Sequence, residues 1–242
     1  MNIEDMNIKI FADGADVHSM LKAKEEGIVK GFTTNPTLMR KAGVKSYEEF
    51  ARTVLKNITD LPVSFEVLSD DFKIMEKEAR EIGSWGENVY IKIPITNTKG
   101  EYSYPLIKKL SAGGLKINVT AILDISQVKP LINILGKNTY SIVSIFAGRI
   151  ANTGRDPIPI MKTVVELFKE RPKTEILWAS PRELLNIFQA NEIGCHIITV
   201  TNDILAKRKF IGMDLKELSL ETVKLFYNDA VASGFKIDYL KE

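Results

Sequence analysis

Residues 62–94 read PVSFEVLSDDFKIMEKEAREIGSWGENVYIKIP. Two short runs rich in Val, Ile and Phe, 62–68 and 88–94, bracket a segment, 70–82, whose apolar residues recur at helical spacing between charged ones. The runs have the length and composition of buried strands, and the middle has the amphipathic period of a helix that covers them. Strand, helix and strand in that order predict one right-handed crossover of a parallel sheet.

The unit repeats along the chain in both directions. Further strands are expected over 8–13, 31–35, 115–122, 140–147, 174–180 and 194–200, and further helices over 16–26, 46–56, 104–112, 125–135, 158–169, 182–191 and 202–209. Eight strands, each followed by a helix, predict an α/β fold closed into a (β/α)8 TIM barrel. The competing doubly wound sheet would carry a Gly-rich fingerprint after its first strand and a separate second domain; the sequence has neither. No linker or low-complexity tract divides the chain, so 1–242 is expected to form a single barrel domain. Beyond the eighth unit, 215–242 is expected as a C-terminal helical extension, with Leu220, Val223, Phe226, Tyr227 and Ala230 at helical spacing. That stripe requires cover, either from its own barrel or from another copy of the chain.

Composition narrows the function classes. Hydrophobic residues at 45% and charged residues at 26% are ample for a sizeable core and argue against disorder. A net charge of +2 with scattered Lys and Arg argues against nucleic-acid or membrane-surface partners. Cys195 is the only cysteine, which excludes an internal disulfide and a multi-cysteine zinc site, and His18 and His196 are the only histidines. Glu4 and Asp5 precede any apolar run, unlike a signal peptide, and no apolar stretch is long enough to span a bilayer. A cytoplasmic location is expected.

Strands of a parallel barrel are buried on both faces, so polar side chains near their C-terminal ends require a reason. Barrel enzymes keep their active sites at that end. Asp13, Thr33, Asn35, Ser64, Glu66, Lys92, Asn118, Thr120, Ser144 and Ser180 all fall there. Side chains two apart share a face, so Tyr90, Lys92 and Pro94 point one way and Val89, Ile91 and Ile93 the other. The same rule pairs Thr33 with Asn35, Ser64 with Glu66, Asn118 with Thr120, and Ser144 with Phe146. The polar set is expected to converge on the barrel mouth.

Lys92 is pivotal. Between Ile91 and Ile93 it loses hydration, which favours the neutral amine, a nucleophile towards carbonyls. A buried ion pair with Glu66 or Asp13 is the alternative. Schiff-base chemistry needs a group that moves protons to and from the carbinolamine, and Glu66 with Thr120 can do so directly or through water. Carbon–carbon cleavage needs a base at the substrate hydroxyl; Asp13 is the candidate, with capping of the next helix as its alternative. Asn35 before Pro36 also reads as a turn and helix start. Arg149 after the sixth strand, with Ser180 and Arg182 after the seventh, supplies donors for an anion such as a phosphate, whereas Arg155 and Asp156 read as loop and helix start.

Together these segments resemble the transaldolase family, particularly its short-chain branch, which includes fructose-6-phosphate aldolases. The motifs that carry the resemblance are Phe11-Ala12-Asp13, Thr33-Thr34-Asn35-Pro36, Val63-Ser64-Phe65-Glu66-Val67, Ile91-Lys92-Ile93-Pro94, Asn118-Val119-Thr120, Phe146-Ala147-Gly148-Arg149 and Ala179-Ser180-Pro181-Arg182, in family order within 8–200. The resemblance implies that Lys92 is the Schiff-base lysine, that Asp13 handles the hydroxyl proton, and that Glu66 and Thr120 position water. It puts Thr33, Asn35, Asn118, Ser144 and Phe146 at the substrate and Arg149, Ser180 and Arg182 at its phosphate. It implies transfer of a dihydroxyacetone unit from a ketose phosphate to an aldose phosphate, within pentose-phosphate carbohydrate metabolism. No metal or organic cofactor is implied; a homo-oligomer is, since short-chain relatives often form pentamers or decamers.

Glu66 and Phe146 stand where the aldolases of the family tend to carry glutamine and tyrosine, which favours transfer over release. A fructose-6-phosphate-type aldolase and a non-catalytic sugar-phosphate-binding protein are the alternatives. Gly14, Asp16, Trp178 and Pro181 depart from the family pattern. Trp178, two residues before Ser180, is expected either to narrow the mouth or to fill the barrel interior.

Overall fold

Eight parallel strands close into a barrel in chain order in the computed structural model, which describes residues 3–237. They are β1 (Lys9–Asp13), β2 (Val29–Thr33), β3 (Val63–Glu66), β4 (Val89–Pro94), β5 (Ile117–Ile122), β6 (Ser141–Ile145), β7 (Thr174–Trp178) and β8 (Ile197–Val200). Pairing of β1 with β8 closes the ring. The fold is the TIM barrel that the alternating pattern predicts.

The helices between the strands follow local signals. Asp71 accepts from the amides of Lys73 and Ile74 and starts α4 (Phe72–Ser84), which buries Met75, Ala79 and Ile82, one stripe at spacings of four and three. Ser46 does the same for α3 (Tyr47–Asn57), whose Phe50, Ala51, Val54 and Leu55 face the barrel. The first helix, α1 (Val17–Glu25), is capped by Asp16. Two short helices add to the periodic ones: α2 (Pro36–Lys41), which begins at the Asn35-Pro36 helix start, and α8 (Ala147–Ala151), which nothing in the pattern marks. Six and five residues are too few to show a periodicity.

Other boundaries shift for identifiable reasons. The second strand begins at Val29 and ends at Thr33, two residues earlier than the apolar run suggests, because Asn35 is taken up as the N-cap of α2. The helix expected over 125–135 is divided at Pro130, which lacks an amide donor, into α6 (Ile125–Val128) and α7 (Leu131–Ile134). The remaining helices are α5 (Tyr104–Ala112), α9 (Ile158–Leu167), α10 (Leu185–Glu192), α11 (Asn202–Leu205) and α12 (Leu215–Ser233).

The core has two shells. The outer one lies between strands and helices and includes Val89, Ile91 and Ile93 of β4; each large aliphatic side chain buried there contributes roughly 1.5–3 kcal/mol. The inner one, Phe11, Ile142, Leu177, Ala179 and Ile197 with Tyr90 and Phe146 against it, fills the barrel beneath its mouth. Gly31 sits opposite Phe11 in the register, and a Cβ there would lie 2.5 Å from the Phe11 ring. Only glycine leaves room for that ring inside the barrel.

One expectation is corrected and one alternative is excluded. Trp178 neither narrows the mouth nor fills the interior: it is buried in the outer shell, while Leu177 and Ala179 face inward. The C-terminal helix α12 does not pack on its own barrel, since none of its residues is buried and Phe226 and Tyr227 are 66% and 70% exposed. Positions 238–242 of the expected extension lie outside the described residues. Among the described residues no helix is long and apolar enough to cross a membrane.

Candidate active site

The strand ends open into a cavity of about 460 Å³ at the C-terminal mouth of the barrel, within the size range of small-ligand sites. The register sets Glu66 of β3, Lys92 of β4 and Asn118 of β5 side by side. Lys92 Nζ lies 3.0 Å from Glu66 Oε2 and donates to the Thr34 carbonyl at 2.7 Å. Their side chains are 8% and 19% exposed, so the ion pair that was one alternative for Lys92 is present. Both partners nevertheless line the cavity, which leaves the amine accessible to a ligand. Behind them the Tyr47 hydroxyl donates to the Glu66 carbonyl at 2.8 Å; burial pushes this phenol up, so it remains a protonated donor.

A second carboxylate faces this pair. Asp13 ends β1, and Thr33 Oγ1 donates to its Oδ1 at 2.8 Å. Burial raises the Asp13 pKa above the ordinary value, against the lowering effects of the Lys92 charge and the Thr33 hydrogen bond. The capping alternative for Asp13 is not met, because Asp16 accepts from the Ser19 amide at the start of α1. Asn35 combines both of its readings: its Oδ1 accepts from the Leu38 amide at 2.9 Å, capping α2, and it lines the cavity.

On the far wall, Ser144 donates to Asn118 Oδ1 at 2.6 Å, and Asn118 donates onward to Ser64 at 3.1 Å. Thr120 Oγ1 is buried without a hydrogen-bond partner among the described residues. Next to it, Ala121 adopts a left-handed φ of 61°, where the β5–β6 register shifts. Arg149, in α8, reaches the rim with its guanidinium 5.7 Å from the Phe146 ring centroid and no hydrogen bond among the described residues. Ser180, also left-handed with φ 56°, lines the same end.

Eleven of the twelve residues expected to act on or bind the substrate line this cavity, whereas Ser64, expected at the mouth with them, is buried and does not. Arg182 is not brought to it. Its Nε donates to the Gly148 carbonyl at 3.2 Å and to Asn152 Oδ1 at 3.1 Å, and it lines a separate hollow beside Trp178. The turn through Ser180 and Pro181 sends consecutive polar side chains to opposite sides of α8. Gly148 fits tightly against that turn, since a Cβ on it would meet the Ser180 carbonyl oxygen at 1.5 Å. Thr199 of β8 and Ala121 are wall residues that the sequence did not single out. Thr199 was recognisable from its parity with Ile197; nothing local marked Ala121.

Other reactive groups lie elsewhere. Cys195 is buried, and burial pushes its thiol up to about 12, which makes it inert. Among the described residues no cluster of His, Cys, Asp and Glu is suited to hold a metal ion.

The family model for Transaldolase/Fructose-6-phosphate aldolase matches residues 10–237. The chain belongs to this family. A protein named "Probable transaldolase" from Clostridium kluyveri is 37% identical over 204 residues, covering 83% of this chain and 89% of the relative. Another of the same name from a Thermoanaerobacter species is 34% identical over 235 residues, covering 97% and 98%. Among solved structures, KGPDC from Streptococcus mutans aligns with a TM-score of 0.55 at 8% identity over 81% of this chain and 89% of that one. A mandelate oxidase aligns at 0.56 with 15% identity over 83% and 70%. These two share the barrel fold. Glu66 and Phe146 both line the cavity.

Proposed function

We propose that the chain is a transaldolase, which carries a dihydroxyacetone unit on Lys92 from a ketose phosphate to an aldose phosphate. The observation that carries this reading is the Lys92 amine, 3.0 Å from Glu66 at the edge of an accessible cavity, with the half-buried carboxylate of Asp13 in the same wall. Lys92 passes a proton to Glu66 and attacks the ketone carbon of the donor. Glu66 returns a proton to the carbinolamine hydroxyl, which leaves as water, and an iminium forms. Thr120, whose hydroxyl has no hydrogen-bond partner among the described residues, is suited to hold that water.

Asp13 then takes the proton of the substrate hydroxyl beyond the bond to be cut. The electron pair of that carbon–carbon bond moves into the iminium, leaving an enamine on Lys92 and releasing an aldose phosphate. A second aldose phosphate is attacked by the enamine, and Asp13 gives its proton to the new alkoxide. Hydrolysis with water frees the product. No metal or organic cofactor is needed for these steps. Asn35, Asn118 and Ser144 hold substrate hydroxyls, with Thr33 behind Asp13. Arg149 and Ser180 bind the phosphate, and Arg182 acts on that end indirectly by tying down the α8 backbone next to Arg149. Phe146 lacks the hydroxyl that would protonate the enamine, so the three-carbon unit waits for an acceptor.

In this reading 1–242 works as one catalytic domain in the cytoplasm, with 215–242 as an extension. The apolar stripe of α12, exposed throughout, is covered by other copies in a homo-oligomer, a pentamer or decamer. Borohydride reduction in the presence of fructose 6-phosphate, followed by intact mass and peptide mapping, is expected to give an adduct on Lys92. Absence of any adduct across ketose phosphates would leave a binding protein. Donor cleavage that proceeds equally well without acceptor would make the chain an aldolase.

A further inference from the structure

Asp13 does not meet Thr33 alone. Thr33 Oγ1 lies 2.8 Å from Asp13 Oδ1 and 2.5 Å from Thr199 Oγ1, which reaches it from β8 on the other side of β1. Both threonines are buried, at 3% and 5% exposure, and both line the cavity. The directions of these bonds follow from proton counting. A carboxylate only accepts, so the single hydroxyl proton of Thr33 points to Asp13, and Thr199 must donate to Thr33.

We propose that Thr199 is a positioning residue for the proton transfer at Asp13, acting through the Thr33 hydroxyl. The proposal rests on the transaldolase reading above. While Asp13 is a carboxylate, the chain runs from Thr199 to Thr33 to Asp13, and each bond strengthens the next. Once Asp13 has taken the substrate proton it can donate to Thr33, and both threonine hydroxyls turn to run the other way. The pair holds Asp13 in one geometry on both sides of the transfer. The charged groups facing Asp13 are Lys92 from β4 and Glu66 from β3; β2 presents Thr33, followed by Asn35, and β8 presents Thr199. Burial already disfavours the Asp13 carboxylate, so it depends on these donors.

The test compares Thr199→Val, which keeps the shape, with Thr199→Ser, which keeps the hydroxyl. Trapping of fructose 6-phosphate and the pH profile of kcat/KM for its cleavage with an aldotetrose phosphate acceptor are measured for each. Thr199→Val is expected to trap as wild type does, to lose about 5-fold in kcat and to shift the acid limb upward by about half a pH unit, the scale of one weakened hydrogen bond. Thr199→Ser is expected to restore both. Should Thr199→Val fold poorly, Thr199→Ala carries the same expectation. Normal trapping with an unmoved acid limb, or a Ser variant that restores neither quantity, overturns the role of Thr199. Absence of trapping in the wild type overturns the reading beneath it instead.

Discussion

Replacing Lys92 with methionine keeps most of the stem and deletes the charge that faces Glu66 across 3.0 Å. With 8% and 19% of the two side chains exposed, the pair is screened less than a surface pair. Removing one partner of a fully buried pair costs about 3–5 kcal/mol. Glu66 keeps its edge on the cavity and recovers part of its hydration there, which brings the expected cost of Lys92→Met to about 2–3 kcal/mol, the lost bond to the Thr34 carbonyl included. For a chain of this size that lowers Tm by about 4–12 °C. Glu66→Gln alone strands the ammonium and is also destabilising. The double variant buries neither charge, so its loss is expected to fall short of the sum by about 1.5–2 kcal/mol. Melting is followed at one fixed protein concentration, because assembly would otherwise shift Tm. Additive losses, with no coupling between the positions, would refute the view of the pair as one interacting unit. A trapped adduct in Lys92→Met would remove Lys92 as the nucleophile.

Three further outcomes are expected. Arg149→Ala, which removes a rim guanidinium that makes no hydrogen bond among the described residues, should raise KM for a phosphorylated ketose by about 10–100-fold and leave unphosphorylated dihydroxyacetone unaffected, as steady-state kinetics will show. Asp13→Asn should abolish cleavage yet raise Tm at neutral pH, because burial raises the native Asp13 pKa and charging it opposes folding; melting across pH should show the advantage fully above the raised native value and gone below about 3.8, the unfolded value. Glu66→Gln combined with Phe146→Tyr should increase donor cleavage without acceptor relative to transfer, and an unchanged ratio measured by product assay would remove these two positions as determinants of the branch.

The repeating strand and helix runs were legible because each is dictated by local burial. Ile91 and Ile93 meet the helices and Tyr90 meets the interior, so the period of two survives in β4. The same alternation placed Lys92, Asn118 and Ser144 at the mouth. Periodicity marks neither α2 nor α8, and only the start of α2 was legible. One begins at the Asn35 cap with Pro36 in its first turn, and the other follows directly from β6 to carry Arg149. The exposed stripe of α12 shows the same limit from the other side, since a sequence states that an apolar face needs a partner without stating which chain supplies it.

The failures at Trp178 and Arg182 have one cause. Alternation predicts that neighbours on a strand face opposite ways, yet Thr120 with Ala121, and Ala179 with Ser180, are consecutive residues that line the same cavity. Each pair contains a non-glycine residue in left-handed conformation, Ala121 at φ 61° and Ser180 at φ 56°. Such a residue costs of order 1–3 kcal/mol and rotates the chain out of the pleat. The rotation brings Ser180 to the mouth although it follows the outward-facing Trp178 by two positions, and it carries Arg182 past α8 to the other side. Both left-handed residues flank the end of the barrel where Arg149 stands, and nowhere else do the described residues show a positive φ outside glycine. Strain confined to the cavity wall is what a site requires when a sheet's own geometry cannot present enough polar groups to one ligand, and it is the part of a structure that periodicity cannot foresee.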